Sequence, residues 1–405
     1  MDTYVARQPI FNRRKKIFGY ELLFRDATAQ SFAGRNGDDA TATVLSNTFF
    51  TIGADNLTSG KKMFVNFTHN LLLQKTPLLL PMEDTIVEVL ENVAPTPELI
   101  AACQEMAAKG YTFALDDFID APALQPLVDL AHIIKIDFRT SSLDAIKSFV
   151  QTRPRRETLR LLAEKVETYD EFHAAKTLGF DYFQGFFFCK PELIKGKDIS
   201  SSQMNLMRIV AAVNQPDFEF KHLEQLISPD VGLTYKLLRY SNSAFFAKAQ
   251  TIGSVQQALV YMGESEIRRF VSLIAMSHLA KGKPGELIRT SSIRGKFCEQ
   301  LGTLASLPTS AAELFTLGLF SLIDAIVDQP MARIMEELPL AGEIKKALAE
   351  RSGPLIGYLA LVEYYEKAQW PLFERIATAL KIPKDKVSTL YREACTWADT
   401  FPDWE

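Results

Sequence analysis

Seven short apolar runs in the first half of the chain each carry one acid or amide side chain. After a first gap of 45 positions, these polar residues recur every 20 to 28 positions. A carboxylate in a buried strand is costly unless a cation or a hydrogen-bond donor neutralises it. Because such a polar residue recurs once in each apolar run, the pattern indicates a functional site. The residues are Glu21, Asn66, Glu88, Asp116, Asp137, Glu164 and Gln184.

The runs alternate with helical patterns up to about residue 195. These patterns cover 40–52, 97–110, 142–151 and 170–180, and Gly110 and Gly179 stand where helix C-caps would. Strands and helices that alternate at roughly 30 residues per unit predict βαβ packing around a parallel sheet. Two strand-like runs at the start, joined by the polar segment 12–15, predict a hairpin and therefore an antiparallel first strand. This number of strands favours a closed TIM-like barrel, and an open doubly wound sheet is the main alternative.

In a barrel, side chains at the carboxyl ends of the strands converge on one face. We therefore expect the seven polar residues to share a mouth with Asp117 and Lys135. So many carboxylates repel one another unless divalent cations neutralise them, and oxygen ligands favour magnesium, manganese or calcium over zinc. Two such ions about 3.5 to 4 Å apart can activate a water and stabilise a phosphodiester displacement. Lys135 could orient that water or stabilise developing charge.

The composition indicates a folded chain of two domains. The chain has 405 residues, of which 47% are hydrophobic and 23% are charged, and its net charge is −4. That charge argues against nucleic-acid binding through a broad basic surface. The four cysteines are widely spaced without a paired metal motif, which suits a reducing compartment. No signal peptide and no apolar run of about 18 residues is visible, so we expect a cytoplasmic protein without a membrane span.

The second half of the chain has a different pattern. Strand signals stop near 190–202, and helical periodicity follows from Gln203 almost throughout. Prolines stand near the expected helix starts. The sequence therefore predicts a barrel domain over 1–195 and an all-helical domain over 200–405.

The first half resembles the EAL domain of bacterial cyclic di-GMP phosphodiesterases. Eight motifs stand in the family's order, namely QPIF, ELLFR, FVNF, VEVLE, LDDF, IKID, AEKVET and FQGFFFCKP. The resemblance implies metal ligands at Glu21, Asn66, Glu88 and Asp116, with Asp117 bordering the metal site. It also implies Mg²⁺ or Mn²⁺ as the metal, Ca²⁺ as an ion that binds and inhibits, cyclic di-GMP as the ligand and a possible homodimer.

The same resemblance implies roles for the remaining residues of the mouth. Lys135 and Glu164 would join Glu21 as catalytic residues by assisting the hydrolytic water and the metal shell. Arg25 and Gln184 would contact the dinucleotide or support its site. Glu91 matches the glutamate that steadies the loop after the paired aspartates.

Three positions depart from the family pattern. Ile119 replaces the first glycine of the family's DFGTGYSSL loop, Lys165 replaces the glycine of EGVE, and Leu22 replaces the alanine of EAL. A β-branched residue tolerates few unusual backbone angles. Because a displacement of about 1 Å can reduce a rate on the order of a hundredfold, we expect weakened or absent hydrolysis even where ligand binding persists.

The segments 230–246 and 252–263 resemble the HDOD domain, a helical regulatory relative of the HD phosphohydrolases. An HD hydrolase needs an adjacent His-Asp pair, and here Ser321 and Leu322 occupy the places of that pair. This half holds only His222 and His278, too few for a histidine-rich metal centre. We interpret it as a non-catalytic module that binds an unknown protein partner.

Some residues also have simpler interpretations. Asp116 and Asp117 could cap a helix or form a turn, and Arg25 could pair with a nearby acid. For Asn242 and Ser243, a helix cap is favoured over a contact surface.

Three functions stay open for the chain: a metal-dependent phosphodiesterase, a cyclic di-GMP receptor without turnover, and a protein scaffold. We favour a cyclic di-GMP signalling protein whose barrel binds metal.

Overall fold

The chain forms two compact units. The computed structural model describes residues 3–26, 58, 60–118, 121–152, 158–191, 207, 213, 231–242, 246, 252–305, 311–338 and 340–401. The first unit comprises Met1–Lys190 with Glu366–Ala368, and the second comprises Pro191–Tyr365 with Gln369–Glu405. The predicted boundary between 195 and 200 lies outside the described residues.

The strands of the first unit close into a barrel in chain order. In the described residues they are β1 (Thr3–Asn12), β2 (Ile17–Asp26), β3 (Lys62–Phe67), β4 (Thr85–Val89), β5 (Thr112–Leu115), β6 (Ile133–Asp137), β7 (Arg160–Glu164) and β8 (Tyr182–Gln184). Strand β1 is antiparallel to both β2 and β8, and the other neighbouring pairs are parallel. The predicted TIM-like barrel with an antiparallel first strand is confirmed, and the open-sheet alternative is wrong.

Helices follow the strands as the sequence predicts. They are α1 (His69–Leu73), α2 (Pro97–Ala108), α3 (Gln125–Leu130), α4 (Leu143–Thr152) and α5 (Tyr169–Leu178). Helix α5 begins with a capping box between Thr168 and Glu171 and ends at Gly179, whose φ of 94° suits glycine. Gly179 is therefore the C-cap that the sequence predicts. The predicted helix over 40–52 lies outside the described residues.

An apolar layer fills the barrel below the mouth. Ile10, Phe64, Ile86, Ala114, Ile133 and Leu162 form a buried cluster there. Because side chains on one face of a strand recur every two residues, the next inward position on each strand carries the polar group. In chain order the polar residues two positions away are Gln8, Asn66, Glu88, Asp116, Lys135 and Glu164. In β1 the step runs backwards, from Ile10 to Gln8, because this strand points the other way.

The second unit is helical throughout its described part, as predicted. Its helices are α6 (Val231–Ser241), α7 (Val255–Leu279), α8 (Gly285–Ala305), α9 (Ala311–Phe320), α10 (Ile323–Val327), α11 (Met331–Glu337), α12 (Gly342–Lys345), α13 (Ile356–Glu366), α14 (Trp370–Ala379) and α15 (Lys384–Asp399), with a π turn at Lys346–Glu350. Helices α8 and α9 approach closely at Gly318, where an added Cβ would lie 2.2 Å from the Arg294 carbonyl oxygen. Within the described residues, no helix has the length and apolarity that crossing a bilayer requires.

Buried polar groups connect several helices of the second unit. Glu266 accepts hydrogen bonds from the Tyr240 hydroxyl and, at 3.2 Å, from the Trp397 indole. Arg269 forms ion pairs with both Glu266 and Glu299, and Lys296 lies 3.0 Å from Glu299. Each acid of this cluster therefore has a basic partner.

The end of α6 shows the cap that the sequence favours at Asn242. Its side-chain amide donates to the carbonyl oxygens of Leu238 and Ile252, and its oxygen accepts from the Ile252 amide at 2.9 Å. Asn242 therefore ties the helix end to the segment that precedes α7. Ser243 lies outside the described residues.

Substitution of Gly185 tests the close backbone packing between the residue after β8 and Val166, which follows β7. Gly185 has a φ of 142°, and an added Cβ would lie 2.0 Å from the Val166 carbonyl oxygen. We expect Gly185→Ala to lower the free energy of unfolding of the barrel by roughly 3 kcal/mol. Urea denaturation of the full chain measures the loss.

The control is Gly60→Ala. Gly60 also has a positive φ, of 70°, but no atom of the described residues lies within 4 Å of its added Cβ. Its substitution should cost only the backbone penalty of about 1 kcal/mol. Equal losses in the two variants would contradict the proposed clash.

Candidate metal centre at the barrel mouth

The ammonium of Lys135 lies at the centre of an acid cluster. Its side chain is 0% exposed, and its Nζ is 2.6 Å from Glu88 Oε1, 2.7 Å from Asp116 Oδ1 and 2.9 Å from Glu164 Oε1. Glu21 Oε2 is 3.7 Å away. Four acids from β2, β4, β7 and the end of β5 therefore meet around a lysine of β6. The convergence of these side chains is the arrangement that the sequence predicts.

Side-chain amides orient the Glu21 carboxylate. Asn66 Nδ2 donates to Glu21 Oε1 at 2.9 Å, and Gln184 Nε2 donates to Glu21 Oε2 at 2.5 Å. The same Gln184 nitrogen is 3.0 Å from Gln8 Oε1. Gln8 was missed as a site residue by the sequence reasoning, although it belongs to the QPIF motif. The predicted hairpin could have identified Gln8. Because β1 is antiparallel to the other strands, its early residues lie at the mouth, and Gln8 pairs with Glu21.

A second, smaller acid pair lies around Lys165. The Lys165 ammonium is 2.6 Å from Asp137 Oδ2 and 3.4 Å from Asp117 Oδ1. The other Asp137 oxygen accepts the backbone N–H groups of Arg139 at 2.6 Å and Thr140 at 3.3 Å. Burial raises the pKa of Asp137, but the hydrogen bonds from Lys165 and Arg139 outweigh it and hold that pKa below its usual value. Asp137 is therefore an ionised partner of Lys165.

The larger cluster has more negative than positive charge. Among the described side chains, the carboxylates of Glu21, Glu88, Asp116 and Glu164 share the ammonium of Lys135. Burial raises the pKa of Glu88 well above its ordinary value in spite of Lys135, and the charges of Glu21 and Asp116 add to that rise. Burial likewise raises the pKa of Glu164 to about 8. Among the described side chains, the single ammonium of Lys135 therefore does not balance the four acids.

Several oxygen atoms of the cluster fit a hard metal ion. Asn66 Oδ1, Glu88 Oε2 and Glu164 Oε2 are buried, and within the described part of the chain they have no hydrogen-bond partner. Buried polar atoms normally have one, so these oxygens need a ligand. As the described side chains stand, no three carboxylate, histidine or cysteine groups are arranged to hold a metal. The acids point at Lys135 instead.

Two predicted site residues, Arg25 and Glu91, have no described contact with this cluster. Arg25 lies in β2 opposite Tyr4, but its side chain is outside the described residues. Glu91 follows β4 and is exposed. Ile119, in the loop that Glu91 was predicted to steady, is also outside the described residues. The loop's described start is Asp117, with a φ of 38°, followed by Phe118, whose N–H donates to the Lys135 carbonyl oxygen at 3.0 Å.

In the second unit, Ser321 and Leu322 lie between α9 and α10. The Ser321 hydroxyl donates to the Gly318 carbonyl oxygen at 2.7 Å and accepts from Arg294 at 3.3 Å. Leu322 is buried. A serine that is held locally and a buried leucine cannot supply the ligands of a histidine-aspartate metal centre. His278 is exposed, and His222 lies outside the described residues.

Comparison with known proteins gives one family match and two full-length relatives. The HDOD domain family matches residues 200–345. The Vibrio cholerae protein Cyclic di-GMP phosphodiesterase CdgJ is 39% identical over 98% of this chain and 92% of its own length. The uncharacterized protein YuxH of Bacillus subtilis is 34% identical over 100% of both chains.

Solved structures are more distant from this chain. A standalone EAL protein from Vibrio cholerae O395, in its c-di-GMP bound form, is 24% identical over 47% of this chain and 92% of its own, with a TM-score of 0.37. A likeness of that size carries no argument about this chain. The family assignment therefore rests on the two full-length relatives.

Removal of the central cation tests the charge balance of the acid cluster. We expect Lys135→Met to lower the free energy of unfolding of the metal-free protein by about 3 kcal/mol at neutral pH, because it leaves buried carboxylates without a counter-charge. The loss should shrink at lower pH as the carboxylates take up protons. Urea denaturation in the presence of a chelator measures it. The exposed Lys109, 3.2 Å from Glu105, provides the control Lys109→Met, and a loss as small as that of the control would refute the expected role.

A further prediction concerns the pH dependence of stability. The Glu164 pKa is about 8 in the folded protein and 4.5 in its ordinary state, so between these values the folded protein holds a proton that the unfolded chain has lost. The free energy of unfolding should therefore fall as pH rises through this window, by up to about 1.4 kcal/mol per pH unit. Glu164→Gln should flatten this slope in metal-free protein, and the exposed Glu83→Gln should not. Identical slopes in wild type and Glu164→Gln would contradict the prediction.

Proposed function

This chain belongs to the family of two-domain bacterial proteins in which an EAL barrel precedes an HDOD domain, and from that membership we propose that it acts in cyclic di-GMP signalling. In this proposal the barrel mouth binds a divalent metal ion and the dinucleotide. The observation that supports it most strongly is the buried ring in which the Glu21, Glu88, Asp116 and Glu164 carboxylates surround Lys135. Matched charges are typical of a structural cluster, whereas the described acids of this one outnumber its described basic side chain. The name of the Vibrio cholerae relative points to the same ligand.

The proposed metal ligands are the oxygen atoms of the ring. Glu21, Asn66, Glu88 and Asp116 would hold the ion, and Asp117 borders the site. Asn66 Oδ1 and Glu88 Oε2, which lack a hydrogen-bond partner among the described residues, support this assignment, because carboxylate and amide oxygens are the ligands of hard cations. We propose Mg²⁺ or Mn²⁺ as the productive ion, with Ca²⁺ binding and inhibiting.

The chemistry of the site would be the addition of water to a phosphodiester phosphorus with cleavage of one P–O bond, which opens the cyclic dinucleotide to a linear one. A bound divalent ion would lower the pKa of the attacking water and stabilise charge on the phosphate oxygens. Glu164, with its pKa raised to about 8, can accept the proton of the water. The Lys135 ammonium can orient that water or stabilise developing negative charge, because it lies 2.9 Å from Glu164 Oε1.

Other residues would position these groups or the ligand. Gln184 and Asn66 donate to different oxygens of Glu21 and so fix the plane of its carboxylate. We assign Arg25 and Gln184 to contacts with the dinucleotide or to support of its site. Glu91 is assigned to support of the loop after Asp117.

A receptor without turnover is the second candidate function. Asp117 pairs with Lys165, so the counter-charge of this carboxylate in the structure is an ammonium rather than a metal ion. In that case the barrel would bind cyclic di-GMP and the helical unit would bind a protein partner. Ser321 and Leu322 at the place of the His-Asp pair favour such an interaction role for the helical unit. We propose no nucleic-acid partner, and a homodimer formed by the barrel fits the family resemblance.

The test is incubation of the purified full chain with cyclic di-GMP and Mg²⁺ or Mn²⁺. We expect slow formation of the linear dinucleotide, measured by chromatography, that falls at least a hundredfold in Glu21→Ala because this carboxylate is a proposed metal ligand. The matched control is Glu105→Ala, which removes an exposed acid near the end of α2. Its product formation should equal that of the wild type.

Binding of the dinucleotide without product would favour the receptor over the enzyme. Neither binding nor product would contradict the proposed function and favour the scaffold. Ca²⁺ in place of Mg²⁺ should support binding without product, since it fills oxygen sites with looser geometry.

A further inference from the structure

Two lysines divide the acids of the barrel mouth into two groups. Lys135 lies among Glu21, Glu88, Asp116 and Glu164, whereas Lys165 contacts Asp117 and Asp137. The adjacent aspartates Asp116 and Asp117 therefore pair with different cations. The first group contains the unpartnered oxygens described above, and its central lysine is completely buried. The second group has its own counter-charge.

Lys165 pairs with the Asp137 oxygen that does not accept the backbone N–H groups. One Asp137 oxygen accepts two backbone N–H groups, from Arg139 and Thr140. The other oxygen, Oδ2, accepts the Lys165 ammonium at 2.6 Å. The same ammonium lies 3.4 and 3.5 Å from the two oxygens of Asp117. A metal ion at these carboxylates would compete with the ammonium, because two cations held close to the same oxygen repel each other.

The backbone at Lys165 is unusual for a residue with a side chain. Its φ is 53°, in the left-handed region, where a Cβ crowds the following carbonyl oxygen. Lys165 directly follows Glu164, the last residue of β7, and in a regular strand it would point away from the side that Glu164 faces. The left-handed turn instead lets its ammonium reach the mouth. Glycine would adopt this φ without penalty, so the strain at Lys165 calls for a compensating role.

We propose that Lys165 acts as a built-in cation that takes the place of a second metal ion, so that the barrel mouth binds a single divalent metal. This inference rests on the proposed metal site and goes further, since it fixes the number of ions. The single ion would bind among Glu21, Asn66, Glu88 and Asp116. Asp117 and Asp137 would remain paired with Lys165. Chemistry that needs two ions about 4 Å apart would then be impaired while binding at the first position is retained.

The experiment counts the metal ions bound by the full chain, without substrate. Metal-free protein is titrated with Mn²⁺ alone by calorimetry and equilibrium dialysis, and electron paramagnetic resonance distinguishes an isolated ion from an exchange-coupled pair. We expect one Mn²⁺ per chain with an isolated spectrum in the wild type. Lys165→Arg, which keeps the charge, should do the same. Lys165→Met and Lys165→Gly should bind a second Mn²⁺ and give the spectrum of a coupled pair.

The two neutral variants separate charge from backbone strain. Lys165→Met removes the charge and keeps the left-handed strain, whereas Lys165→Gly removes both, because glycine adopts this φ without penalty. Lys75→Gly is the matched control, because Lys75 is also left-handed, with a φ of 56°, and pairs with Glu105 rather than with the mouth. It should bind one Mn²⁺.

Other metal counts would contradict either the role of Lys165 or the metal site on which it depends. A coupled pair of ions in the wild type, or a single ion in both Lys165→Met and Lys165→Gly, would overturn the role of Lys165 and leave the proposed metal site standing. Absence of Mn²⁺ binding in the wild type would overturn the proposed metal site itself, and the inference with it.

Discussion

The first unit depends on one electrostatic constraint, which is the burial of several carboxylates around the ammonium of Lys135. Lys135 is 0% exposed and lies within 3 Å of Glu88, Asp116 and Glu164. Such a cluster is tolerable only when cations, donors or protons offset its charge. The closed barrel makes the cluster possible by bringing residues that are far apart in the chain to one end of parallel strands. The apolar layer two residues below excludes water from beneath it.

The balance between buried acidic and basic side chains differs between the two units. In the helical unit, Glu266 and Glu299 share Arg269, Lys296 supports Glu299, and the Tyr240 and Trp397 side chains donate to Glu266. Acids and bases balance there, which is the pattern of a structural network. In the barrel, the acids around Lys135 outnumber their described basic partner, and Asn66 and Glu88 have buried oxygens that no donor of the described residues reaches. This imbalance, more than the presence of acids, marks the barrel mouth as a functional site.

Much of the fold and the main ring could be predicted from the sequence. The apolar runs predict the strands, and the acid that recurs in each run predicts which strand position faces the mouth. Gln8 was missed because it lies before its strand's apolar layer rather than after it, a consequence of the reversed direction of β1. The position of the Lys165 ammonium depends on a left-handed φ that residue type alone does not reveal. The central place of Lys135, among the acids rather than beside a water, depends on how four strands close around it.

The direction of β1 has a consequence for how this protein is handled. Thr3 pairs with Asp26 and Gln8 pairs with Glu21, so the amino-terminal end of β1 lies on the same side as the mouth. In a barrel of parallel strands alone, the first strand would begin at the far end. Any affinity tag or fluorescent fusion placed ahead of Thr3 would therefore lie close to the barrel mouth. Reporter attachment for assays of this site belongs elsewhere on the chain.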